Sequence, residues 1–290
     1  MSGPTTPATD QPSLEQQVTG GLPPLSTALV GELAGTYIMV LIGIGSVAAA
    51  VLTGAQVGLW QVAVVWGFGV AIAVHLVAGL SGAHLNPAMS LAFALVRPQE
   101  FPLSRLLPYA GAQLAGAVLA GFTTAVLFQP FLVRFEEMKG IVRGQPGSEL
   151  SAMVFGEYFP NPAMFGTGPE AHALVSPVLA AGVEAFGTAV LAFVVFAFTS
   201  ARSRSAPPPA AVPFYIGFTV AVLISLFAPI TQAGWNPARD FGPRLVAFAL
   251  GWGEIALPGP NGTFWPYIVG PLVGAPVGAW LAERLMQLRR

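Results

Sequence analysis

The chain carries two copies of one pattern, and each copy holds an odd number of long apolar runs. Asn86-Pro87-Ala88 and Asn236-Pro237-Ala238 each head a short apolar stretch, 87–97 and 237–249. Around them lie six longer runs, at roughly 27–52, 60–80, 103–129, 174–199, 213–231 and 264–282. A helix needs about 20 apolar residues to cross the ~30 Å hydrocarbon core of a bilayer, and all six runs reach that length. At about 1.5 Å per residue the two short stretches cover only half of it. The copies keep register. Gly67-Phe68-Gly69-Val70-Ala71 and Gly217-Phe218-Thr219-Val220-Ala221 are separated by the same offset as the two asparagines. Glu32-x-x-x-Thr36 in the first run is matched by Glu184-x-x-x-Thr188 in the fourth. Three spans per copy is odd, so the second copy must enter the membrane from the opposite face. Inverted repeats with interrupted helices mark pores and transporters whose site lies near the midplane.

Composition names the solvent. Only 9% of the residues are charged and 54% are hydrophobic, whereas a soluble domain carries about 25% charged residues. A net charge of −1 leaves no footprint for a nucleic-acid partner. There is no cysteine, so disulfides and cysteine-bound metals are excluded. His75, His84 and His172 are too scattered for a metal cluster. No phosphate-cradling glycine loop is present to drive an ATP-fuelled pump. No nucleophile–base set is visible either, so the reading contains no catalytic residue, no metal and no cofactor, and not an enzyme.

Residues 1–25, rich in Pro, Thr, Gln and Ser and free of Lys and Arg, read as a disordered tail rather than a signal peptide. The remainder, 26–290, reads as one domain: repeat one 26–129, a long outer loop 130–173, and repeat two 174–290. If six spans alternate, Arg97, Arg105, Arg202, Arg204, Arg284, Arg289 and Arg290 share one side, which places both termini in the cytoplasm. Arg134, Lys139 and Arg143 fall in a loop too long to count against this, and Arg239 and Arg244 belong to the second short stretch. His75 reads as a packed helix residue.

Each triplet reads as the start of a half-helix. Proline at the first helical position forfeits no hydrogen bond, and the asparagine before it is a strong N-cap. Entering from opposite faces, the two half-helices bring their N-termini together. Non-helical backbone at that depth survives only against protein or a water-filled lumen. The carbonyls of Gly82, Ala83, His84, Leu85, Gln232, Ala233 and Gly234 are therefore expected to form a polar strip. Two helix dipoles place positive charge at one point, which repels cations and protons. His84, beside the strip, reads as a loop brace.

The segments Ser81-Gly-Ala-His-Leu-Asn-Pro-Ala88 and Trp235-Asn-Pro-Ala-Arg-Asp-Phe-Gly-Pro-Arg244 resemble the two signature loops of the aquaporin (major intrinsic protein) family, and the likeness covers 27–286. That resemblance implies an all-α membrane protein: six tilted transmembrane helices, two half-helices forming a seventh pseudo-span, and a homotetramer with one pore per subunit. It implies that Glu32 and Glu184 accept hydrogen bonds from the half-helix loops. Counting from the triplets, as the family does, puts a four-membered selectivity ring at Trp66, Ile224, Ala233 and Arg239. Strict water channels place His at the 224 position, and here it is Ile.

Asp240 and Arg244 in the second loop, and the 140–162 segment, resemble the glycerol-facilitator branch. That branch places a bulky aromatic at position 233 and Gly at 224, whereas this chain has Ala and Ile. The resulting set is similar to plant nodulin-like channels. The expectation is passive passage of glycerol-like neutral solutes and water through the cell membrane, with lipid as the other partner and ions excluded. A water-selective or metalloid channel and an inverted-repeat secondary transporter stay open as alternatives. A coupled transporter needs an ionisable relay at the midplane, and the candidates here occupy positions the family uses structurally.

Overall fold

The computed structural model describes residues 22–56, 58–200, 203 and 206–288. Among these, eight helices of ten or more residues form the fold and no strand occurs. They are α1 (Leu25–Ala48), α2 (Leu59–Ser81), the short α3 (Pro87–Val96), α4 (Leu106–Lys139), α5 (Pro177–Thr199), α6 (Val212–Thr231), the short α7 (Pro237–Ala247) and α8 (Pro266–Gln287). The first continues through a π turn at Ala49–Thr53 and stops at Gly54, whose φ of 69° is open to glycine.

The repeat is visible in the packing. In repeat one α1 lies along α4, and in repeat two α5 lies along α8. The matched pentapeptides meet where α2 crosses α6: a Cβ on Gly67 or Gly217 would run into the other's carbonyl oxygen. Without a hydrophobic drive between helices in lipid, small residues that let backbones touch supply the packing.

Segments Leu25–Thr53, Leu59–Ser81, Leu103–Lys139, Pro177–Thr199 and Pro209–Thr231 are long and apolar enough to cross a membrane. The helix over the sixth run, α8, is less apolar, and packing explains it. Gly270, Gly274 and Gly278 occupy one face, and a Cβ on Gly274 or Gly278 would collide with the carbonyl of Ala185 or Ala189 in α5. Pro271 and Pro276 dilute it further. We expect Gly274→Leu to force the two helices apart at a cost of about 3 kcal/mol. The yield of monodisperse protein in detergent checks this, and a fully stable variant would show that the contact is dispensable.

Two expectations shift. The third long helix does not end at 129: α4 passes through Pro130 to Lys139, so the outer loop starts at Gly140. Its extension is held because Leu132 packs with Phe155, Tyr158 and Trp252, and Glu136 accepts Arg143 Nε at 3.0 Å. His75, expected to be packed, is exposed on α2. Arg202, Arg204, Arg289 and Arg290, and positions 1–21 of the expected tail, lie outside the described residues.

Candidate functional site

The two triplets meet head to head. Asn86 caps α3, its Oδ1 accepting the Ala88 N–H at 2.9 Å. Asn236 caps α7, its Oδ1 accepting the N–H groups of Ala238 at 3.0 Å and Arg239 at 3.2 Å. Pro87 and Pro237 take the first helical positions. Each asparagine also reaches into the opposite repeat. Asn86 Nδ2 donates to the Trp235 carbonyl at 2.9 Å, and Asn236 Nδ2 donates to the Leu85 carbonyl at 2.7 Å. An amide NH₂ has two donors, so one N–H on each asparagine is spent on this exchange and the other is available. The Leu85 carbonyl, expected in the polar strip, is the acceptor for Asn236.

A third Asn-Pro-Ala, at 161–163, calibrates the motif. Asn161 Oδ1 accepts Ala163 N–H at 3.0 Å and heads only the short turn Pro162–Phe165, while its Nδ2 donates to the Ala228 carbonyl at 3.2 Å. Cap chemistry is common to all three triplets. Reciprocal pairing belongs to two.

The loops before the asparagines are strained. Ala83, Leu85, Gln232, Ala233 and Trp235 have φ between 50° and 69°, a region costly for residues with a Cβ. Two fully buried carboxylates hold them there. Glu32 Oε1 accepts Ser81 Oγ at 2.7 Å and His84 N–H at 2.9 Å. Its Oε2 accepts Leu85 N–H and Gln113 Nε2, each at 2.7 Å. Glu184 Oε1 accepts Gly234 N–H at 3.0 Å and Oε2 accepts Trp235 N–H at 2.6 Å. With the N–H groups drawn outward to the glutamates, the peptide carbonyls are turned the other way.

Further braces also repeat. Tyr109 donates to the Ser81 carbonyl at 2.9 Å, and Tyr267 to the Thr231 carbonyl at 3.1 Å. Gly35 and Gly187 leave room for Leu85 and Trp235. His84 is packed, its Nδ1 lying 3.1 Å from Ser90 Oγ and its ring stacked on Phe93 at 4.5 Å.

Two cavities flank one ring of residues. The inner, of about 220 Å³, runs past Gly82, Ala83, His84, Leu85, both asparagines, Ala233 and Gly234. The outer, of about 270 Å³, is bordered by Gln56, Met153, Glu157, Asn161 and Gln232. Trp66, Ile224 and Arg239 border both. Gln232 borders the outer cavity, while Ala88 and Ala238 are buried in the half-helices. The Arg239 guanidinium lies over the Trp66 ring, 4.2 Å from its centroid, and Nη2 is 3.4 Å from the Ala233 carbonyl. It also forms an ion pair with Glu157. The guanidinium and the Trp66 ring of this constriction therefore touch.

Asp240 and Arg244 act on this pair from behind. Asp240, fully buried, accepts Glu157 N–H at 2.7 Å and Arg244 Nε at 2.8 Å. Arg244 donates Nη1 to the Ala256 carbonyl at 3.0 Å and Nη2 to the Glu157 carbonyl, and its guanidinium lies 4.7 Å from the Tyr158 ring centroid. Gly156 has no Cβ because Arg244 occupies the space. The two residues fasten the outer loop so that Glu157 meets Arg239. Sequence reasoning missed Glu157, Trp235, Tyr109, Gln113 and Tyr267. Ser81 and Thr231 were missed as well, although they share the offset of the asparagines.

A family profile described as major intrinsic protein matches residues 23–282. The chain belongs to the major intrinsic protein family. It is an integral membrane channel, not an enzyme. It is 40% identical to the glycerol uptake facilitator protein of Pseudomonas aeruginosa over 262 residues, 89% of this chain and 88% of that one. It is 37% identical to the glycerol uptake facilitator protein of Haemophilus influenzae over 264 residues, 90% of this chain and 94% of the relative. A propanediol uptake facilitator of Citrobacter freundii is 36% identical over 266 residues, 90% and 93% of the two chains. The X-ray structure of the aquaglyceroporin from Plasmodium falciparum, 23% identical, superimposes with a TM-score of 0.76, covering 91% of this chain and all of that one. That likeness confirms the major intrinsic protein fold.

Proposed function

We propose that this protein conducts glycerol-sized neutral solutes and water passively across the cell membrane, with the permeation path running through both cavities. The observation that carries the reading is the meeting of those cavities at Trp66, Ile224 and Arg239, one ring outward of the paired asparagines. In this reading that ring, with Ala233, is the selectivity filter. The free N–H groups of Asn86 and Asn236 and the carbonyls of Gly82, Ala83, His84, Ala233 and Gly234 hydrogen-bond the passing solute. Three relatives named for glycerol or propanediol uptake support the solute class. A polyol suits the walls, since its carbons can lie against Trp66 and Ile224 while its hydroxyls meet Arg239 and the carbonyls.

Charge exclusion rests mainly on the two helix N-termini, because Glu157 neutralises Arg239. Glu32 and Glu184 brace the loops, and Asp240 and Arg244 mark the glycerol branch by fixing Glu157. The assembly is a homotetramer in lipid with both termini cytoplasmic and no cofactor.

Proteoliposome swelling tests the reading and the filter together. Wild type is expected to pass glycerol and water without sodium or proton dependence. Ile224→Gly combined with Ala233→Phe exchanges bulk between walls and is expected to keep glycerol flux. Ala233→Phe alone overfills the ring, and Ile224→His narrows it, so both are expected to lose most glycerol flux and retain water. Uptake of solute against its gradient would defeat the channel reading, and unchanged glycerol flux in both single variants would move the constriction elsewhere.

A further inference from the structure

Polar groups are unevenly spread between the ring and the cavity outward of it. At the ring, Ile224 and Ala233 bring no polar side-chain atom, and Arg239 is already engaged with Glu157 and the Trp66 face. Outward of it, Val51, Leu59, Val62, Met153 and Met164 form an apolar stretch of the cavity wall. A hydroxylated solute must shed water along this stretch. A hydroxyl stripped of its hydrogen bonds is costly unless the protein replaces them.

Gln232 can supply the replacement. It ends α6 with a φ of 58°, a conformation that glycine takes without cost, so a long side chain stands here against backbone strain. Its Oε1 accepts the Tyr158 N–H at 2.8 Å. A backbone N–H can only donate, which fixes the orientation of the amide and leaves its Nε2 end over. That Nε2 has no partner among the described residues, yet it is not sealed from open space. The open space that Gln232 borders is the outer cavity. Asn161 closes in behind it: the Ala228 carbonyl accepts both the Gln232 N–H at 3.0 Å and Asn161 Nδ2 at 3.2 Å, and the Pro229 carbonyl accepts the Asn161 N–H at 3.1 Å. A donor held this firmly engages a solute with little further ordering cost.

We propose that Gln232 is a specificity-determining residue, its Nε2 donating to a solute hydroxyl at the mouth of the ring and so raising glycerol passage relative to water. This rests on the channel reading above. Two variants separate the donor from the anchor. Gln232→Glu keeps the oxygen that holds Tyr158 and loses both amide donors, whereas Gln232→Met keeps the length and loses both functions. Glycerol and water permeability are measured by stopped flow in the same proteoliposomes. The ratio of glycerol to water permeability is expected to fall roughly fivefold in both variants, the worth of one hydrogen bond. If Gln232→Met does not fold, Gln232→Glu decides alone. A wild-type ratio in Gln232→Glu would reduce the residue to an anchor for the outer loop and overturn the proposal. Equal proportional loss of water and glycerol would overturn it too, since the ratio would then stand. Either result beside a conducting wild type leaves the channel reading intact, whereas a wild type that passes no glycerol defeats both.

Discussion

Truncating Glu32 to alanine is expected to lower the thermal stability of the protein more than truncating Glu184, and both should lose flux. Glu32 accepts four donors: the N–H groups of His84 and Leu85, the Ser81 hydroxyl and the Gln113 amide. Glu184 accepts the N–H groups of Gly234 and Trp235. Each backbone N–H left buried without a partner costs about 1–3 kcal/mol. The loops are also strained at Ala83, Leu85, Ala233 and Trp235, so without the carboxylates they are free to relax and carry the asparagines out of register. Thermal scanning in detergent, paired with stopped-flow flux normalised to folded protein, measures both effects. A Glu32→Ala protein as stable as wild type would remove the carboxylate from the bracing role.

Arg244→Met is expected to destabilise by about 3–5 kcal/mol, because Asp240 is left as an unpaired buried charge. The methionine fills much of the arginine's volume, so the loss is one of charge and hydrogen bonds more than of packing. Adding Asp240→Asn should restore part of it, and the coupling in that double-mutant cycle reports the pair directly. Flux should respond as well. The Glu157 carbonyl and N–H are fixed by Arg244 and Asp240, so releasing them frees Glu157 from Arg239 and alters the outer face of the ring. Additive losses in the cycle would mean that the two residues act separately.

Local grammar made much of this legible from the sequence. The half-helices, their caps and the inverted repeat follow from Asn-Pro at the head of runs too short to cross a membrane. Glu32 and Glu184 stood out because a carboxylate inside a span demands a partner. What stayed hidden was set by distant contacts. Glu157 lies in a loop without periodicity, and only the folded chain brings it to Arg239. Gln113 carries no signal beyond its polarity. The extension of α4 past Pro130 depends on loop residues folding back onto Leu132 and Glu136. Trp66 was placed in the ring by counting, but its contact with the guanidinium depends on side-chain positions that counting does not give. The triplet at 161–163 makes the same point in reverse, since its residues match and its surroundings do not.

The amide exchange between Asn86 and Asn236 also sets an order of manufacture. Synthesis runs from the N-terminus, so repeat one is complete while Asn236 is still untranslated. Through that interval the Leu85 carbonyl has no amide to receive and Asn86 has no Trp235 carbonyl to reach. Glu32 is present from the start and can already hold the strained first loop. The earlier repeat therefore waits as a preformed but unlatched half, and arrival of the later one closes it. A ribosome stalled between the two triplets would leave an open seam within the bilayer, a state that cellular quality control has reason to recognise.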